Sequence, residues 1–229
     1  MDHLQLDRID TSGALREAAE DAGIDRASFL RRGAAAGAGL AVGGTLLGLA
    51  SPAQAAISTK KKSLANDIKI GNYALTLEFL EAEFYAKAIE ANAFATPELK
   101  SFAITTGAHE AAHVAALKKI LGSKAVKKPT FDFGAAVTDS ATFAKTAQVL
   151  EDTGVAAYAG QGPNLKTRAI VQAALSIHSV EARHAAWIRF INSGGAGTAA
   201  NLPAPAGFDK PLSEKAVLSA VTKTGFIKG

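Results

Sequence analysis

From about residue 66 to residue 192 the chain reads as four long helical segments. Stretches of alanine, leucine, isoleucine and phenylalanine alternate with polar positions, and caps and stops punctuate them at regular intervals. The first segment is expected to start near Asn66-Asp67, residue types that favour helix N-caps, and to run to about Ala93. The second opens at Thr96-Pro97-Glu98: a cap, a proline at the first helical position and an acid at the positive end of the helix dipole. It closes with Lys118-Lys119 and Gly122. The third follows Asp139-Ser140 and reaches about Gly160. The fourth opens after Gly162-Pro163-Asn164 and ends near Asn192, before Gly194-Gly195. Links of a few residues make the first and second segments, and the third and fourth, antiparallel neighbours. The link from 122 to 138, with 129-PTFDFG-134 inside it, is long enough to cross a bundle. The segment from Gly194 onward reads as a Pro/Gly/Ala-rich tail with one short helix at 213-SEKAVLSAV-221.

The N-terminal quarter follows a different pattern. Residues 26–55, RASFLRRGAAAGAGLAVGGTLLGLASPAQA, place a basic start before a Gly/Ala/Leu run and the small-x-small site Ala53-Gln54-Ala55. That is the layout of a cleaved secretory signal. It resembles a twin-arginine signal: Ser28-Phe29-Leu30-Arg31 matches the right-hand side of that box, with the paired arginines displaced to Arg31-Arg32. The expected division is a signal segment at 1–55, a helical bundle at 56–193 and the tail at 194–229. The expected location is the periplasm, the cell envelope or the exterior.

Composition narrows the chemistry. Apolar residues make up 48% of the 229, enough for a substantial core, while aromatics at 7% and abundant alanine favour packed helices over a sheet. There is no cysteine, so disulfides and thiolate-held metals are excluded and any metal must take nitrogen and oxygen ligands. The net charge of +4 is mild. The lysines at 60–62 and at Lys124, Lys127 and Lys128 read as solvated loops, and no nucleic-acid motif accompanies them.

Two of the five histidines stand in a repeated motif. The second segment contains 110-EAAH-113 and the fourth 181-EARH-184. Residues three apart share a helix face, so Glu110 with His113, and Glu181 with His184, can each address one ion. The first and third segments supply 78-EFLEAEFY-85 and 151-EDTGVAAY-158, each with a glutamate two turns before a tyrosine. Glu78 precedes Glu110 by 32 residues and Glu151 precedes Glu181 by 30, so the chain reads as a duplicated helical hairpin. Four carboxylates offset the repulsion of two neighbouring dications, and two imidazoles complete the shell; oxygen and imidazole donors suit iron or manganese, with zinc also compatible. Glu81, one turn after Glu78, is an alternative ligand to it. Glu83 is expected in solvent and His109, about 100° from Glu110 around the helix, at the periphery. His178 is expected to be structural and Trp187 to sit in a core or interface. Gly154 would allow close helix packing or make room for a small oxidant.

One Glu on each of two helices and Glu-x-x-His on each of two others resembles the ferritin-like di-iron and di-manganese carboxylate proteins. The wider wording (ALTLEFLEAEFY, HEAAHVAALKKILG, PTFDFG, LEDTGVAAYAG, SVEARHAAWIR) is similar to an exported bacterial ferritin-like group described as desiccation-related. The resemblance spans roughly residues 64–193 and extends to the FDKPLSEKAVLSAV tail. It implies an all-α, ferritin-like four-helix bundle with a long crossover between its second and third helices, preceded by the signal segment. It implies two metal ions, iron first and manganese as the alternative. Glu78 and Glu151 would be terminal ligands, Glu110 and Glu181 bridging ones, and His113 and His184 would each complete one ion. Tyr85 and Tyr158 would donate to carboxylates across the bundle. Expected partners are metal ions, a small oxidant and further copies of the chain, with no nucleic acid and a membrane only through an uncleaved signal. Two functions stay open: an envelope redox enzyme acting on dioxygen, peroxide or ferrous iron, and a non-catalytic stress or desiccation protein using the bundle as scaffold.

Overall fold

Ser63, rather than Asn66 or Asp67, caps the first helix. The computed structural model describes residues 56–197 and 201–228, so the signal-like segment lies outside the described residues. Helix α1 runs Leu64–Ala91, and the Ser63 side chain accepts from Asn66 N. Asn66 and Asp67 sit inside the first turn, buried, where their side chains fasten other segments. Asp67 accepts from Lys166 N at 2.8 Å, Thr167 N at 3.0 Å and Thr167 Oγ1 at 2.6 Å. Asn66 accepts from Ser58 N at 2.7 Å and donates to Asn164 O at 3.3 Å. Polar side chains that serve as caps in isolation are used here to satisfy a loop's backbone donors, which would otherwise be buried without partners.

Helix α2, Pro97–Leu121, starts as expected: Thr96 accepts from Leu99 N. The crossover continues through a 3-10 turn at Gly122–Lys124, strand β1 at Thr130–Phe131 and a short helix α3 at Ala135–Thr138. Helix α4, Ser140–Gln161, is capped by Asp139. A second 3-10 turn, Gly162–Asn164, delays helix α5 to Arg168–Asn192. Helix α1 packs on α2 and α4 on α5; α1 also meets α4, and α2 meets α5, which closes a four-helix bundle. No helix among the described residues is long and apolar enough to cross a membrane.

The tail belongs to this core. Helix α6, Glu214–Thr224, buries Val217 and Val221 in the cluster that contains Leu77, Leu80, Phe84 and Phe143. Strand β2, Ile227–Lys228, pairs antiparallel with β1, setting Phe131 opposite Ile227. Leu212 N donates to Ala156 O at 3.0 Å, a carbonyl within α4. That approach is possible because residue 160 is glycine: a Cβ there would lie 1.9 Å from Leu212 O. Of the three apolar clusters among the described residues, one contains Tyr85 and another Tyr158. The polar centre lies against both through these two tyrosines.

Candidate metal centre

Helical periodicity points Glu78, Glu110, Glu151 and Glu181 into the bundle, one from each long helix, and all four are at most 1% exposed. Fully burying four carboxylates demands compensation. His113 and His184 provide part of it. Nδ1 of His113 lies 3.0 Å from Glu110 Oε2 and 3.2 Å from both Glu78 Oε2 and Glu181 Oε1. Nδ1 of His184 lies 3.0 Å from Glu110 Oε1 and 3.2 Å from Glu151 Oε2. The ligand atoms fall into two groups, Glu78, Glu110, His113 and Glu181, and Glu110, Glu151, Glu181 and His184, with each group's atoms within 4.8 Å of one another. Glu110 and Glu181 belong to both.

The two tyrosines cross the bundle. The Tyr85 hydroxyl on α1 donates to Glu151 on α4, and the Tyr158 hydroxyl on α4 donates to Glu78 on α1. Burial and the charge of the bonded glutamate push both phenols well above their ordinary range, so both stay donors.

The titration of the cluster follows from its geometry. Burial raises Glu78 to about 7 against the opposing pull of His113. Burial, then the charge of Glu110, lifts Glu181 well above the carboxylate range. Burial raises Glu151 too, opposed by its bond to His184. Glu110 behaves the other way: burial pushes it up, but bonds from His113 and His184 outweigh that and hold it low. His184 rises to about 10 because its bonds to Glu110 and Glu151 overcome burial, and His113 is raised in the same manner. Protons and imidazolium charge are thus drawn into a site with too much negative charge to remain bare.

A pair of dications fits the donors. Glu110 Oε1 and both carboxylate oxygens of Glu181 are buried with no well-directed hydrogen bond among the described residues; an imidazole Nδ1 approaches Glu110 Oε1 at 3.0 Å and Glu181 Oε1 at 3.2 Å, and these are the two shared glutamates. Such atoms are costly unless something cationic meets them. Both inward imidazole nitrogens are Nδ1, and the donor set is all oxygen and nitrogen, which suits iron, manganese or zinc.

The remaining candidate residues fall around this centre. Glu81 does not displace Glu78; both are buried, Glu81 at 3% exposure. Its carboxylate is raised well above the usual range by burial, then by the charges of Glu181 and Glu151. A Cβ on Gly154 would lie 2.7 Å from Glu181 Oε2 and 3.5 Å from Glu81 Oε1, so the glycine leaves the space these carboxylates use. His109 is exposed, yet its Nδ1 lies 2.9 Å from Nε2 of His184, and the rings stack at 16° with centroids 5.1 Å apart. Its angle around α2 gave no hint of this, because the contact comes from α5. Glu83 pairs with Lys128 at 2.8 Å. Trp187 packs edge-on against Phe102. His178 is in neither ligand group, and its Nδ1 is buried without a partner among the described residues.

The bundle and its buried carboxylate–imidazole centre define a helical protein whose core could hold metal ions. The chain belongs to the ferritin-like domain family, whose model matches residues 66–193. No curated protein matches it significantly.

Proposed function

We propose that this chain is an exported di-metal carboxylate oxidoreductase that acts on dioxygen, hydrogen peroxide or ferrous iron in the cell envelope. The observation that carries the proposal is the pair of four-residue ligand groups joined through Glu110 and Glu181, whose buried oxygens lack well-directed hydrogen bonds. Glu78, Glu110, His113 and Glu181 would hold one ion, and Glu110, Glu151, Glu181 and His184 the other. Two iron ions are the preferred occupants, with manganese the alternative. When bound, the pair supplies a place for a small oxidant and divides the electron transfer between two ions.

The chain's own residues support that task. Tyr85 and Tyr158 hold the outer carboxylates in one rotamer by donating to them. Glu81 gives a fifth buried carboxylate, able to take up a proton beside the shared Glu181. A carbon-lined cavity of about 30 Å³ is bordered by Leu77, Leu117, Ala157, Ala174 and Tyr158. It is roomy enough for one small molecule and offers water few partners, which favours a small apolar guest such as dioxygen. The signal-like pattern at 26–55 supports action outside the cytoplasm.

The test is to load the full chain with iron(II) or manganese(II), measure bound metal by elemental analysis, and follow consumption of oxygen, peroxide and ferrous iron. Two ions per chain with turnover in at least one assay is expected. Two ions with no turnover in any of them refutes the enzyme.

A second function, a stress or desiccation scaffold, is favoured by one observation. Each imidazole already pairs with two or three carboxylates, so the centre neutralises part of its charge without metal. Replacing Glu110 and His184 with alanine separates the two. If metal is lost while protection of cells against drying is unchanged, the scaffold stands.

A further inference from the structure

The two ligand groups are copies in sequence but not in surroundings. Setting Glu110 against Glu181 and His113 against His184 puts His109 opposite Val180. Only one inward histidine is therefore backed by a side-chain acceptor. His184 presents Nδ1 to Glu110 and Glu151, while its Nε2 lies 2.9 Å from His109 Nδ1. If Nδ1 offers its lone pair to a cation, Nε2 carries the proton and donates it to His109. His113 presents Nδ1 to its carboxylates in the same way, but no described residue accepts from its Nε2. Valine at 180 has no acceptor to give. The tyrosines cannot account for a difference, because each outer glutamate has one.

We propose that His109 is a positioning residue that makes the two metal positions unequal, so that the position built on Glu110, Glu151, Glu181 and His184 fills first. This rests on the two-metal reading above. An acceptor on the outer nitrogen fixes the tautomer and ring angle of a metal-binding histidine and raises the basicity of its inner nitrogen. Removing such a partner typically weakens metal binding by about 10–100-fold. Because both positions draw on Glu110 and Glu181, the first ion takes its pick of the shared carboxylates. A difference at the histidines then sets the order of loading. His109 touches no substrate; it acts through the ring of His184.

The experiment is a cobalt(II) titration of the metal-free full chain, followed by calorimetry and by visible absorption. The expected result is two binding events, the first at least about tenfold tighter. His113→Ala keeps the tight event and His184→Ala abolishes it. His109→Ala weakens the tight event about 10–100-fold and leaves the weak one in place, with an unchanged far-UV circular dichroism spectrum. His109→Gln, whose side-chain carbonyl still accepts from Nε2, restores most of the tight binding, a rescue that a merely structural role would not produce. Two equal events in the unaltered chain overturn the inference. So does a tight event that survives His184→Ala, or a His109→Ala variant that shifts both events equally or neither. Absence of any cobalt binding would instead overturn the two-metal reading, whereas equal binding leaves that reading intact.

Discussion

Gly154→Ala tests whether Glu181 stands where both ions need it. The added Cβ would lie 2.7 Å from Glu181 Oε2, against the 3.4 Å at which ordinary contact begins, so the carboxylate must retreat by about 0.7 Å. Oxygen ligands to first-row dications sit at about 2.0–2.2 Å and tolerate about 0.2 Å of error. The displacement exceeds that tolerance more than threefold and falls on a carboxylate shared by both groups. Affinity should drop at both positions, by at least about tenfold each, or about 1.4 kcal/mol. Stability should respond differently. Alanine in place of a mid-helix glycine gains about 1 kcal/mol, and overpacking against the end of a flexible side chain costs about the same. The metal-free melting temperature should therefore barely move. Calorimetric titration with manganese(II) and thermal melts of the metal-free chain measure the two quantities. Unchanged affinity at both positions would refute the placement of Glu181 as a shared ligand. A large loss of metal-free stability would refute the claim that only a carboxylate has to move.

Two further expectations follow from the same geometry. The metal-free chain should lose stability as pH rises: raised groups favour folding below their ordinary values, so Glu78 gives up its contribution between 4.5 and about 7 and His184 between 6.5 and about 10. Metal-loaded protein should show the reverse slope, because its ligands must be deprotonated, and melts with and without metal over about pH 5–9 check both; a metal-free profile that rises with pH contradicts the buried cluster. Gly160→Ala should cost about 3 kcal/mol or more in thermal or urea unfolding, since its Cβ meets the backbone carbonyl of Leu212, which cannot swing aside as a side chain can, and a neutral result would mean that the tail does not dock on α4.

The convergence of six side chains was legible because helical spacing is rigid. Glu-x-x-His fixes a face, two turns separate each Glu from its Tyr, and the repeat supplied the pairing. Helix ends were legible where caps are purely local, as at Thr96 and Asp139. They were misjudged where tertiary demands took over the capping residues, as at Asn66 and Asp67, which serve a loop a hundred residues away in the chain. Glu81 stayed ambiguous because one turn of helix does not separate two faces; which carboxylates are buried depends on the glycine opposite, on another helix. His109 was missed because its partner lies across the bundle, and an angle on one helix says nothing about its neighbours. The tail's strand is two residues long, too short to show any period, and only its antiparallel pairing with Phe131 makes it a strand.

The Glu81–Gly154 match has a consequence for how such a centre can be built. The two positions correspond in the two halves, three residues after Glu78 and Glu151. In a symmetric dimer of identical hairpins they would be one residue seen twice, since a two-fold interface repeats every contact. Two glutamates would then crowd one space, or two glycines would leave it empty. Joining the halves in one polypeptide frees each from the other, so a bulky acid on one side can be matched by a missing side chain on the other. Covalent linkage here does more than hold the halves together: it lets them become different.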